Sequence, residues 1–179
     1  LLRDQRGLWY GAVTGDLRLL GFTDSAFKAQ EQEGSGLALR GLAILLGPDD
    51  SGSQALTPNK PCAVNLLEWL VRRLRRVVRS TFAAELNALI DSIESLVLLQ
   101  LILHQVYCGT GDTAEELLIK LEHGRLYPPI DVFVDARSVT DAMAATDVCT
   151  PQEASLKLHL IAIRDRLTRG LIRSLSWTD

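Results

Sequence analysis

The chain reads as one α/β domain, a mixed β-sheet with helices packed against it. Three observations predict this class. Short apolar runs come first, separated by polar turns containing glycine and proline. Long stretches with apolar residues at helical spacing follow. Strand-like runs then return singly, each reached through a helix. Strands in direct succession pair as an antiparallel meander, and strands joined through helices lie parallel to their neighbours. A length of 179 residues with 47% hydrophobic content suits one domain with a real core.

Taken in order, Leu1 to Gly15 is Gly-rich and mixed, a lead-in, and the domain proper is expected over 17–179. Leu17 to Thr23 is short and apolar, a strand with Gly21 inside it. Glu31 to Gly36 is a turn, and Leu37 to Leu46 is a second strand. Pro48 to Pro61 is a loop by composition. Cys62 to Val78 is ambiguous: Ala63, Leu66, Leu70, Leu74 and Val77 fit a helical stripe, while Ala63 to Leu67 and Trp69 to Val71 fit a buried strand. Ser80 or Thr81 caps a long helix with Glu85 in its first turn, running to about Tyr107. Asp112 to His123 is an amphipathic helix ended by Gly124. Ile130 to Val134 is a strand, Ser138 to Ala145 a short helix, Pro151 to Arg169 a helix closed by Gly170, and Leu171 to Trp177 the last strand.

Three acids fall at the ends or starts of these elements. Asp24 ends an apolar run, Glu85 opens the long helix, and Asp135 ends a β-branched run. Acids so placed can converge on one cleft, where like charges repel unless a divalent cation lies between them. The pattern points to metal-assisted phosphodiester chemistry. Each acid also has a plainer reading: Asp24 as a turn residue, Glu85 as an acid at the positive end of a helix, Asp135 as a helix cap.

Net charge is −3, so basic character counts only where it is local. Arg72, Arg73, Arg75, Arg76 and Arg79 form the one dense basic run, either flanking the cleft for nucleic-acid binding or protecting a strand edge from mispairing. Ser138 touches a phosphate or caps its helix. Asp141, Asp147 and Asp165 read as surface or capping acids. Cys62, Cys108 and Cys149 are isolated and odd in number, which suits a reducing compartment. His104, His123 and His159 lack zinc-ligand spacing with the cysteines. Gly34-Ser35-Gly36 is too short for a phosphate loop. Trp69 and Trp177 are assigned to the core, as is the Leu-rich stretch from Leu86 to Leu103; the apolar run Leu96 to Leu103 is too short to span a membrane. The start at Leu1 suggests a segment of a longer polypeptide.

Several motifs resemble those of one family. Thr23-Asp24-Ser25-Ala26-Phe27 resembles the Thr-Asp-Ala-Asp-Trp motif of ribonuclease H domains in copia-type retrotransposon polyproteins. Arg79 to Leu86 resembles their Ser-Ser-Thr-Glu-Ala-Glu-Tyr segment, and Asp135-Ala136-Arg137-Ser138-Val139 their Asp-Asn-Gln-Ser-Ala segment. Leu158 to Asp165 resembles the helix that follows, and Leu175 to Asp179 the family's last strand. The resemblance runs from about Leu17 to Asp179. It implies a ribonuclease H-like mixed five-stranded sheet, three antiparallel strands then two parallel ones, with Cys62 to Trp69 as the third strand.

The resemblance further implies hydrolysis of the RNA strand of RNA–DNA hybrids by two Mg²⁺ ions, with Mn²⁺ as a substitute, held by Asp24, Glu85 and Asp135. It implies a reverse transcriptase domain in the same polyprotein as partner and a cytoplasmic retrotransposon particle as setting, with no membrane. The family carries a fourth acid beyond the Trp-Thr-Asp region; Asp179 comes too early for it, so the site is expected to be incomplete at its C-terminal end. Two alternatives remain: a catalytically inactive module of the same fold, and an integrase- or transposase-like core. The early Glu85 favours ribonuclease H over the latter.

Overall fold

A computed structural model describes residues 10–27, 38–49, 63–75, 77–145 and 154–178. The α/β class and the five-stranded mixed sheet expected from the sequence are what it contains. The elements are β1 (Leu17–Ala26), β2 (Leu39–Pro48), β3 (Asn65–Arg73), α1 (Thr81–Cys108), α2 (Ala114–Glu122), β4 (Ile130–Val134), α3 (Arg137–Ala144), α4 (Ala154–Thr168) and β5 (Ser174–Trp177). The ambiguous third segment is a strand. Sheet order is β3-β2-β1-β4-β5. The first three strands are antiparallel, and β4 and β5 join parallel to β1 and to each other. Arg76, Asp147, Pro151, Asp179, Gly34 to Gly36, Cys62, Cys149 and most of the 48–61 loop lie outside the described residues.

Alternation along β1 sets the architecture. Leu19, Gly21, Thr23 and Ser25 face α1, and Phe22 and Asp24 point to the opposite face. Gly21 allows α1 to lie close against the strand: a Cβ there would sit 2.4 Å from Leu96 Cδ1. Two residues further along β1, the Thr23 hydroxyl is hydrogen-bonded to Ser92 on α1 at 3.0 Å. Ser92 also donates to the Ala88 carbonyl, so its one proton is used and Thr23 is the donor between them. Leu86, Leu89, Ile93 and Leu96 of α1 are wholly buried against Leu19, Ile44, Ile130 and Val132 of the sheet. Burying side chains of this size stabilises by about 1.5–3 kcal/mol each.

Two expectations about the core need correction. Trp69 is 69% and Trp177 43% exposed. Trp69 lies on the edge strand β3, on the sheet face that no described helix covers. Trp177 sits at the end of the opposite edge strand. The Leu-rich stretch is core on one face only, because α1, at about 42 Å, outruns the strands it packs on. Its outer face leaves Leu98, Ile102 and Val106 exposed. By length and composition alone α1 is long and apolar enough to cross a bilayer, although its inner face is the centre of this domain.

Candidate active site

The three acids come from three different kinds of backbone. Asp24 lies within β1, paired with Gly41 of β2. Asp135 follows the last residue of β4. Glu85 lies on α1, whose cap is Ser80: its hydroxyl accepts the Ala83 N–H at 3.1 Å. That cap places Glu85 beyond the first turn, which holds no acid. The plain helix-end reading of Glu85 therefore fails. So does the capping reading of Asp135, since the N-cap of α3 is Ala136 and no side chain caps it. Ser138 is exposed and does not cap that helix either.

Carboxylate oxygens of Asp24, Glu85 and Asp135 all lie within 4.8 Å of one another. Among the described residues, none of the three has an Arg or Lys partner. Glu85 is 8% exposed. Its carboxyl is pushed up from 4.5 to about 7 by burial, with the Asp135 and Asp24 charges adding to the shift. Ser25, next to Asp24 but facing the helix, pulls the other way; its hydroxyl is buried and has no well-formed hydrogen bond. Asp135 is also raised, by partial burial of its carboxyl and by the Asp24 charge. An oxygen-only, uncompensated donor set of this kind fits a hard divalent cation such as Mg²⁺ or Mn²⁺.

Beside the acids, on the open sheet face, is a shallow depression of about 380 Å³ lined by Phe22, Gly41, Trp69, Val71 and Phe133, with Asp24 and Asp135 on its wall. Phe22 and Phe133 stack there with ring centroids 4.9 Å apart. Arg72, Arg73, Arg75 and Arg79 are exposed, from the end of β3 into the segment before α1. They form no ion pair among the described residues, and they do not reach the acids. Asp141 and Asp165 pair with Arg137 and Arg169 one helical turn away, as surface acids do. His104 is buried: its Nδ1 accepts the Tyr127 N–H at 3.0 Å, and its Nε2 lies 3.3 Å from Asp112. It is a packed residue, remote from the acids.

Asp131, Trp177 and Arg137 have partners that the sequence did not assign to them. Asp131 lies inside β4 and is 3% exposed. Arg173 donates to it through Nε at 3.0 Å and Nη2 at 2.5 Å, Ser174 at 2.7 Å, and Arg18 at 3.4 Å. The signal was available, since an acid within an apolar strand needs partners. Trp177 donates its indole N–H to the Asp135 carbonyl oxygen at 3.0 Å. Arg137 lies over that indole, its guanidinium carbon 5.6 Å from the ring centroid. No local sequence signal announces either contact.

No protein-family model matches the chain, and no curated protein matches it in sequence. Among solved structures, the chain is similar to LC11-RNase H1, isolated from compost by a metagenomic approach and solved in complex with RNA/DNA hybrid. Identity is 17% and the TM-score 0.47, over 89% of this chain and 83% of that one. It is also similar to RNase H1 from the halophilic archaeon Halobacterium salinarum NRC-1, at 12% identity and a TM-score of 0.45, over 90% and 83% of the two chains. A third similar structure is the prototype foamy virus protease-reverse transcriptase, at 10% identity and a TM-score of 0.48, over 97% of this chain and 19% of that one. Identities this low leave the chemistry of the site to be judged from its own geometry.

Proposed function

We propose that the chain is a metal-dependent ribonuclease H-like nuclease that hydrolyses the RNA strand of RNA–DNA hybrids. The observation that carries this reading is the convergence of Asp24, Glu85 and Asp135 within 4.8 Å, with no Arg or Lys partner among the described residues. The motif resemblance around each acid supports the substrate, the two-ion mechanism and a copia-type retrotransposon setting. In that setting the partner is the reverse transcriptase of the same polyprotein, and the place is the cytoplasmic particle.

Asp24, Glu85 and Asp135 would hold the ions. When bound, divalent cations supply an activated water and charge stabilisation at the leaving oxygen. The protein's own part is to hold and orient. Asp24 is fixed by the β1–β2 ladder and Glu85 by the α1 backbone. Glu85 retains a share of its proton near neutrality in the metal-free protein and would give it up to hold a cation. The exposed Arg72, Arg73, Arg75 and Arg79 would meet backbone phosphates and make binding salt-dependent.

The test is cleavage of a labelled hybrid in Mg²⁺, with Asp24→Asn as control. Cutting of the RNA strand alone, lost in the control, is the expected result. Salt-dependent binding without cutting would move the chain to the inactive-module reading.

A further inference from the structure

Asp135 is the least supported of the three acids. Asp24 sits within a ladder and Glu85 within a helix, so the positions of their side chains follow from regular backbone. Asp135 has neither. The β1–β4 ladder ends at Thr23 and Val134, and the β4–β5 ladder ends at Val134 and Trp177. The first bonds of α3 run to the Ala136 carbonyl, from Val139 at 3.0 Å and Thr140 at 3.5 Å. The Asp135 carbonyl thus falls between strand and helix, outside both hydrogen-bond patterns. The partner it has is the indole N–H of Trp177, a residue 42 positions away in sequence.

The ring itself is 43% exposed, so burial does not explain its placement. It is held instead at two points, by the bond from its N–H to Asp135 and by the Arg137 guanidinium over its face. One side chain from β5 therefore contacts both the backbone of Asp135 and the first residue of the helix that follows.

We infer that Trp177 is a positioning residue for Asp135: its indole N–H, bound to the Asp135 carbonyl, sets the backbone at the end of β4 so that the carboxylate turns toward Asp24 and Glu85. The inference rests on reading Asp135 as a metal-holding acid. A carboxylate with a free backbone would spread over several orientations, and a site that needs three oxygens close together would bind its cation less well. Groups that orient a ligand from behind typically matter to metal affinity by about 10–100-fold.

The test separates the N–H from the bulk of the ring. A synthetic segment 149–179 joined at Cys149 carries one of two residues at position 177. Benzothienylalanine keeps the bicyclic shape and has sulfur in place of the N–H; 7-azatryptophan keeps the donor. Trp177→Phe serves as a recombinant companion. Mn²⁺ affinity is measured by direct titration without substrate, with kcat and KM on a hybrid and the thermal midpoint alongside. Benzothienylalanine and Trp177→Phe are expected to weaken Mn²⁺ binding about tenfold and lower kcat with KM unchanged. The 7-azatryptophan protein is expected to match wild type, and the benzothienylalanine protein to melt with it.

Equal Mn²⁺ affinity in wild type and the benzothienylalanine protein overturns this inference alone. So does a loss of affinity that only tracks the thermal midpoint. A wild-type chain that binds no Mn²⁺ overturns the functional reading, and this inference with it.

Discussion

Asp131 lies within β4 and Asp135 directly follows it, four residues on, and their surroundings are opposite. Asp131 is buried among Arg18, Arg173 and Ser174. Burial alone would raise its carboxyl; the hydrogen bonds from Arg173 and Ser174 and the two guanidinium charges outweigh that and hold it below the usual carboxylate range. Arg173 is raised in return, by its bond to Asp131 first and also by its bond to Asp49 at 2.6 Å. Asp135 has no Arg or Lys partner among the described residues, and partial burial and the Asp24 charge raise it. The difference teaches that an acid's role is written in its partners. One strand uses the first acid to lock β1, β4 and β5 together, and the second, just past its end, has no cationic partner of this kind among the described residues.

The sharpest way to break this comparison is to neutralise each acid in turn. Asp135→Asn is expected to abolish hybrid cleavage while the thermal midpoint holds or rises, because the variant removes a repelling charge. Normal cutting by this variant would remove Asp135 from the site. Asp131→Asn is expected to do the reverse. It leaves Arg18 and Arg173 facing an uncharged amide, and breaking a buried pair of this kind costs about 3–5 kcal/mol. Denaturant melts check it, and a midpoint like that of wild type would show the cage to be inert.

Glu85 sharpens the comparison through pH. Its folded pKa, about 7, lies above its ordinary 4.5. Between those values the unfolded chain has lost the proton and the folded chain keeps it, so this group's contribution makes stability fall as pH rises through that window. Glu85→Gln in metal-free buffer is therefore expected to stabilise by about 1–3 kcal/mol at pH 8 and by almost nothing at pH 4.5. Thermal melts at the two pH values read the difference, and equal gains at both would contradict it. Asp131, with its lowered pKa, has the opposite sign: its contribution is present above the ordinary carboxylate value and lost as pH falls through its folded pKa. The smallest effect is expected at Asp141, whose ion pair with Arg137 is exposed and 3.7 Å long. Asp141→Ala should shift stability by no more than about 0.5 kcal/mol. A larger loss would mean that Arg137 depends on Asp141 as well as on Trp177.

Much of this molecule was legible before any coordinates. Short apolar runs mark β1, β2 and β4 and a period-3.6 pattern marks α1, because a strand covered on both faces is largely apolar while a helix is buried along one stripe. Ser80, Gly124 and Gly170 mark helix ends, because an open helix end needs a hydroxyl at its start or a positive φ after its finish. Asp24, Glu85 and Asp135 stood out as acids at element ends. The third strand was not settled by its own residues, since a short apolar run fits either period. The family resemblance placed a strand there, and pairing with β2 bears it out.

What only the tertiary structure decided is which charges meet and which side chains stay uncovered. Trp69 and Trp177 look like core residues by composition, but an apolar side chain is buried only where another element covers it, and both lie at sheet edges. The bonds from Arg173 to Asp131 and from Trp177 to Asp135 join residues 42 positions apart. Sequence spacing carries information about neighbours along one element. The parallel β4–β5 register, set through the intervening helices, brings these partners together, and that register exists only once the sheet has formed.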